Sequence, residues 1–388
     1  MAYSGKTNWQ NNEIVEASDM NRIEQGISDA DVGLENVQAA VDELTDDVGD
    51  VANLTTTDKS STVNAINEVK GDVASHKEDG TQHAKTARFV IGTSTAGWTS
   101  ADCDYLCDGT ADQVEIMAAL NALPTTGGEV VILDGTYNIT AEIIVSRNNT
   151  LIRGNGNATI LKRGFDKSKS GVIRITSKSG CKIESLLIDG NKTVYTGRNN
   201  YGIYLQSVNK TTVTLCSLTL SREGGIYVKD GSYISITNNI FDGNTVYAVI
   251  LESSTNNTIE SNIVIEWGKI KLDASNNNII NGNRVGDETT NATKVDLADS
   301  NYNLIIGNNC ENGTTGIKLY QSSNNTIIGN SCFRGTGVPE DYGLSMYTIN
   351  VSSSSNDNLI SSNNCKGKAV NVTSSTGNTL VNNKFDAT

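Results

Sequence analysis

Glu252 and Asp273 stand at the same place in two consecutive copies of an internal repeat, VILESSTNNTIESN and IKLDASNNNIINGN. If each copy forms one rung of a stacked strand array, the two carboxylates are vertical neighbours about 5 Å apart. That overlaps the separation at which retaining glycosidases set a nucleophile beside an acid. Adjacent acids raise the pKa of one of the pair, as a proton donor requires. Tyr227 and Tyr204, one and two repeats before Glu252, offer rings that can stack on sugars, and Lys229 stands one repeat before Glu252 in the same column. The catalytic candidates are therefore Glu252 and Asp273, and the substrate-binding candidates are Tyr204, Tyr227 and Lys229. The competing reading is a charge ladder, in which Lys229, Lys271 and Asp296 neutralise the two acids on a solvated or inter-subunit face.

No other constellation supports chemistry. Zinc-type Cys/His spacing and a phosphate-cradling Gly loop are missing, and the only two histidines, His76 and His83, lie far upstream of the repeats and read as solvated residues. Asp102, Asp104, Asp108 and Asp112 lack the downstream Glu of a helix-loop-helix calcium site and read as helix-capping acids. Neither a metal nor another cofactor is expected.

The repeat must position these residues. From about residue 128 the chain alternates a hydrophobic–x–hydrophobic run, a Ser/Asn-rich turn, a hydrophobic pair, and Asn or Gly-Asn. Anchored on that last Asn, the copies fall at Asn239, Asn262, Asn283, Asn308, Asn330, Asn363 and Asn383, spaced by 23, 21, 25, 22, 33 and 20. A period near 22 of alternating strands predicts an all-β parallel β-helix of about ten rungs. Two residues after each anchor come Phe241, Val264, Val285, Cys310, Cys332, Cys365 and Phe385, all apolar, a single buried column in which the cysteines act as small hydrophobes. With Leu186 and Leu218 as earlier anchors, the same column begins at Ile188 and Leu220. The Asn anchors are expected to stack in a turn and bond the backbone and each other. On the exposed strand face, the register aligns Tyr204, Tyr227, Ile250, Lys271, Asp296 and Lys318 in one column, and Gln206, Lys229, Glu252, Asp273, Ala298 and Tyr320 in the next. Two oversized steps admit the loops DGNKTVYTGRNN and FRGTGVPEDYGLSM, either binding loops or neutral insertions.

Upstream, residues 1–30 read as a short helical attachment segment with Ser18 as N-cap and Met20, Ile23 and Ile27 on one face. Residues 31–87 carry a coiled-coil seam at Leu34, Val37, Val41, Leu44, Val48 and Val51, resumed at Ile66, Val69 and Val73. Residues 88–127 form a capping segment whose helix presents Val114, Met117 and Leu120 on one face, and residues 128–388 form the β-helix. The formal net charge of -14 argues against nucleic acid and anionic lipid as partners. No export signal and no membrane span is evident, and the odd cysteine count argues against a disulfide framework.

The order of helix, GGEVVILDGTY and rungs such as GIKLYQSSNNTIIGN resembles the pectate-lyase-like right-handed parallel β-helices, in their Asn-rich branch, over roughly residues 88–388. The leader TNWQNNEIVEASDMNRIEQGI, the segment LTTTDKSSTVNAINEV and the junction SHKEDGTQH resemble N-terminal parts of tail-fibre, baseplate and appendage proteins of phages and prophages of Gram-positive bacteria. The resemblance implies a homotrimer made in the host cytoplasm and carried on the virion surface. Its N-terminus would be fixed to other tail or baseplate proteins, and its β-helix would touch or digest a host cell-wall glycopolymer. The two functional alternatives are thus a structural or adhesive fibre and a depolymerase.

Overall fold

The computed structural model describes residues 14–48, 57, 60–78, 87–286, 293–333, 347–366 and 370–385. It divides into two units, residues 1–83 and 84–388. In the first unit, helix α1 (Ala17–Val48) runs uninterrupted through the boundary expected at residue 30, and α2 is Thr62–Glu78. Ser18 lies inside α1 rather than capping it, since the first turn is closed by Asp19 and Met20 N–H groups on the Glu16 carbonyl. The seam is exposed on the single chain, with Leu34 at 69% and Ile66 at 61%. The side chains of Leu44, Val48 and His76, and all of Val51 and His83, lie outside the described residues.

The second unit is built from parallel strands, each pairing with the strand one repeat later, as in a parallel β-helix. Each regular rung contributes three short strands, so the coil has three faces. The first face is a 10-stranded sheet. Its inward residues alternate along each strand, as in Ile226 and Val228, Val249 and Leu251, Ile270 and Leu272, all fully buried. On the second face the inward column is Val213, Ile236, Ile259, Ile280, Ile305, Ile327 and Ile360; on the third it is Ile188, Leu218, Phe241, Val264, Val285, Cys310, Cys332 and Cys365. Each such side chain contributes about 2 kcal/mol by leaving water. The third-face register matches the sequence expectation from Phe241 upward and corrects it below. Leu218, not Leu220, pairs with Ile188, Cys216 stands where the Asn anchor belongs, and Leu220 is 41% exposed. The Leu186 repeat therefore spans 30 residues to Cys216 rather than 32 to Leu218.

Three turns per rung explain the Asn, Ser and Gly content. The residue before every Asn anchor is left-handed: Asn238, Ser261, Gly282, Gly307, Gly329, Ser362 and Asn382, with φ between 53° and 64°. Gly accepts that backbone without a steric penalty and Asn at a reduced one, hence the recurrent Gly-Asn. The anchors then stack. Asn262 Oδ1 accepts the Asn239 backbone N–H at 2.9 Å and its Nδ2 at 3.1 Å, while Asn262 Nδ2 donates to the Ile236 carbonyl at 2.8 Å. The pattern repeats to Asn383. A second Asn ladder (Asn257, Asn278, Asn303, Asn325, Asn358, Asn378) and a Ser ladder (Ser254, Ser275, Ser300, Ser322, Ser355, Ser375) run beside it. Each satisfies a backbone donor that a turn would otherwise bury unpaired.

At the start of the coil, Arg88–Thr93 already pairs with Gly128–Ile132, so the sheet begins before residue 128. Helix α3 (Gln113–Ala122) covers this end. Its buried face is Ile116, Ala119 and Leu120, which join Phe89, Ile91, Val130 and Ile132 in one core. Val114 is 54% exposed, which corrects the face expected from the sequence. Asp112 is the N-cap residue of α3, but no acid side chain bonds its first turn. Asp102 binds the backbone and hydroxyl of Thr99, Asp104 the Val90 N–H, Asp108 the Thr110 N–H, and Asp112 the N–H groups of Gly109 and Asn138.

Candidate functional site

The first face carries a cleft of about 480 Å³ lined by Lys169, Arg174, Asn199, Tyr201, Tyr204, Gln206, Glu223, Tyr227, Lys229, Tyr247, Ile250, Glu252, Lys271 and Asp273. All five residues singled out from the sequence lie in it. Strand pairing stacks Tyr204 beneath Tyr227 and Ile250, and Gln206 beneath Lys229, Glu252 and Asp273, the columns the repeat predicted.

The aromatic floor is a packed group: Tyr201, Tyr204 and Tyr227 are 4%, 5% and 8% exposed, so packing against one another closes the rings that the sequence offered for stacking on sugars. The ring of Tyr227 lies 4.9 Å from Tyr201 and 4.8 Å from Tyr204, and Ile250 closes the cluster. Arg174 lies over the Tyr204 ring at 4.2 Å. Its guanidinium is fixed from behind by Glu142, only 5% exposed, which accepts from Arg174 Nε at 2.7 Å, Lys167 Nζ at 2.6 Å and the Gly171 N–H at 3.1 Å. Burial works to raise the Glu142 pKa, but these three donors together hold it below the usual carboxylate range. Arg163, buried to 1% exposure, donates to the Tyr201 carbonyl at 2.5 Å and lies over Phe165 at 4.4 Å, bracing the lower edge. The first inserted loop rims the cleft through Asn199, and Asp166 ties that loop down by accepting from the Gly197 N–H and Asn200 Nδ2. The second insertion, from 334 to 346, lies outside the described residues.

Glu252 and Asp273 are adjacent, as expected, but each is neutralised within its own rung or the rung below. Tyr227 donates its hydroxyl to Glu252 Oε2 at 2.6 Å and Lys229 its ammonium to Oε1 at 2.7 Å; Lys271 pairs with Asp273 at 2.7 Å. Burial pushes the Glu252 pKa up, but the bonds from Lys229 and Tyr227 outweigh it and hold the carboxyl below its ordinary value. The raised pKa expected of a general acid is therefore not found at Glu252. Burial and the bond to Glu252 push the Tyr227 phenol well above its usual range, so it remains a donor. Lys269, Asp296 and Tyr247 extend the network above and beside the cleft, with Lys269 Nζ 3.1 Å from Asp296 and 5.3 Å from the Tyr247 ring centroid.

The sequence reading missed Arg174, Lys169, Tyr201 and Tyr247. Arg174 and Lys169 precede the regular repeat, and Tyr201 has the strand parity of a core residue. The one available signal was Tyr247, which aligns with Gly224 at the start of its strand.

The family model described as "Periplasmic copper-binding protein (NosD)" matches residues 131–285 and 188–388. The chain belongs to the NosD family. This is a parallel β-helix family, in keeping with the stacked rungs. No curated protein matches the chain. Among solved structures, a mutant DFA-IIIase from Arthrobacter chlorophenolicus A6 in complex with DFA-III aligns with a TM-score of 0.61 at 14% identity, over 76% of this chain and 84% of that one. Dettilon tailspike protein aligns with a TM-score of 0.56 at 18% identity over 71% of this chain, which spans 64% of the tailspike's own length. PfbA, a surface adhesin of Streptococcus pneumoniae, aligns with a TM-score of 0.54 at 14% identity, over 72% of this chain and 87% of that one. These likenesses are of fold.

The copper in the family's description calls for soft donors. Within the NosD match, the described thiols are Cys181, Cys216, Cys310, Cys332 and Cys365, all buried in the coil. Burial pushes the Cys216 thiol up to about 12, and the Cys310 contact together with burial raises Cys332 well above the usual thiol range. Both histidines lie upstream of the match. Cys107, Asp112 and Glu115, whose ligand atoms lie within 4.8 Å of one another, also fall outside it. Asp112 already spends both oxygens on backbone N–H groups. These residues do not fit a copper site.

Proposed function

We propose that this chain is a phage tail- or baseplate-attached fibre that contacts a glycopolymer of the host cell wall and holds it rather than cutting it. In this reading it is a homotrimer, joined through residues 1–30 to other tail proteins and through the coiled coil of 31–87 to a right-handed coil of about ten rungs displayed on the virion surface. The observation that carries it is the state of the cleft. Fixed cations and the partly exposed Tyr247 line it above a buried tyrosine floor, and its two central carboxylates are occupied by Tyr227, Lys229 and Lys271. Such a surface can pair with anionic groups of a glycopolymer, with Tyr247 beside them, without donating a proton. The exposed apolar seam of α1 and α2 supports the trimer, since a single helix gains nothing from it. The fold shared with a tailspike supports the virion setting. Among the described residues, no helix is long and apolar enough to cross a membrane.

One observation favours the second reading, a polysaccharide depolymerase: Glu252 and Asp273 are direct neighbours across adjacent strands, about one rung apart. Cell walls of Gram-positive hosts incubated with the full chain decide between the two, with bound protein and released saccharide or polyol-phosphate fragments measured together. Binding without release, weakened by Lys229→Met, is the expected result. Release that stops in the Glu252→Gln/Asp273→Asn variant would replace the adhesive reading with the enzymatic one.

A further inference from the structure

The corner between the first and second faces carries a feature the cleft does not use. Its left-handed column reads Tyr233, Asn256, Asn277, Tyr302 and Asn324 in successive rungs, with φ of 54° at Tyr233 and 59° at Tyr302. Asn tolerates that backbone because its short amide bonds locally; a ring attached to Cβ has no such compensation. Yet both tyrosines are among the most exposed large side chains of the coil, at 59% and 62%. Neither ring stacks on another and neither hydroxyl is hydrogen-bonded among the described residues, so no packing within the chain accounts for them.

The surroundings of the two rings are chemically uniform. The rungs place them three steps apart, roughly 14 Å along the axis. The two intervening rungs present Asn256 and Asn277, both exposed. The column beside them is a row of amides and hydroxyls in register, with Ser232, Thr255 and Asn276 joined by parallel bridges and Asn301 donating its N–H to Asn276 Oδ1 at 2.7 Å. No charged side chain stands in either column between the tyrosines.

We infer that this corner is a second glycan-binding site, a strip on which an uncharged, hydroxyl-rich polysaccharide chain lies along the coil axis, stacked on Tyr233 and Tyr302 and hydrogen-bonded by the amides between them. The ligand is the neutral sugar backbone of the host wall. Between the two tyrosines the strip has no cation for an anionic polymer, the nearest in the column being Lys210 one rung below Tyr233, and the net charge of -14 repels one. The strip thereby divides recognition with the cleft, whose lysines and arginine suit anionic groups.

This inference rests on the host-wall reading, and the test separates their failures. The full chain and a Tyr233→Asn/Tyr302→Asn variant are titrated onto intact host walls and onto walls stripped of covalently attached anionic polymers, at low and high salt. Asn is the residue already present at 256, 277 and 324, so the variant folds, which its melting temperature verifies. The expected result is salt-insensitive binding of the unsubstituted chain to stripped walls, weakened roughly tenfold or more in the variant. Equal binding of both proteins to stripped walls overturns the strip. So does binding of the unsubstituted chain to intact walls alone, which leaves the host-wall reading standing. Binding to neither wall removes both.

Discussion

The coil has two halves that solve burial differently. From Asn239 upward, the N–H at each ladder position meets an Asn or Ser side chain of the next rung, and the buried polar groups are mostly neutral amides and hydroxyls repeated once per turn, with Lys294 as a charged exception. Below it, the anchor position holds Cys216 and a buried charged network stands among the neutral groups: Glu142, clamped by Lys167 and Arg174, and Arg163, bonded to the Tyr201 carbonyl. The upper half is a scaffold in which any rung resembles the next. The lower half gives up that redundancy, and the cleft spans the boundary between the two, from Lys169 below to Asp273 above. A repeat supplies stiffness, and its interruption supplies a site.

The largest expected effect follows from the lower half's dependence on single residues. Glu142→Leu leaves Arg174, 18% exposed, and Lys167 without their carboxylate, and costs about 3 kcal/mol at neutral pH by denaturant unfolding. The pH dependence has a defined sign. The pKa of Glu142 in the folded chain lies below its ordinary value, so its contribution is complete above the ordinary carboxylate range and is lost as pH falls through the folded value. Unfolding midpoints measured from neutral to acid pH therefore converge for the variant and the unsubstituted chain. Parallel curves would show that the carboxylate does not carry the lower half.

In the upper half, the same kind of change is smaller and depends on position. Asn283→Ala removes the acceptor for the Asn262 N–H at 3.0 Å and the donor to the Ile259 carbonyl at 2.9 Å, from a side chain that is itself buried. It costs about 2 kcal/mol. Asn383→Ala removes the corresponding bonds in a rung that is half exposed, where water replaces them, and costs about half as much. Equal losses at 283 and 383 would mean the ladder acts as one cooperative unit rather than as a sum of neighbours.

This contrast also decides what the sequence could disclose. The register of the first face, from Tyr204 to Lys318, was legible because Asn and the residue before it mark a backbone shape that few residues accept. Where that mark vanishes the register is not legible: Cys216 carries no such mark, and the pattern places the anchor at Leu218, two residues late. The faces of α3 were misassigned because Ile116 and Ala119 compete with Val114 and Met117 in a short apolar helix, and only the open end of the coil selects between them. Glu252 and Asp273 were placed correctly as neighbours, but their charge state was not legible. It depends on the Tyr227 hydroxyl and on lysine rotamers, which periodicity does not fix.

The smallest expected effect concerns the left-handed corner. If a tyrosine there is held against its backbone preference, the strain must be transferable. Asn277→Tyr, in the same column and two rungs from Tyr233, is then expected to destabilise by about 0.5 kcal/mol or more, and Tyr302→Asn to stabilise by a similar amount. Both positions are exposed, so neither change alters buried area, and denaturant midpoints at a fixed slope read the backbone contribution alone. Opposite signs at the two sites would establish that Tyr233 and Tyr302 persist at a cost to the fold, which a purely structural corner would have no reason to retain. If neither substitution shifts the midpoint, the column accepts tyrosine freely, and the case for the strip as a site loses its argument from strain, leaving only the exposure of the rings.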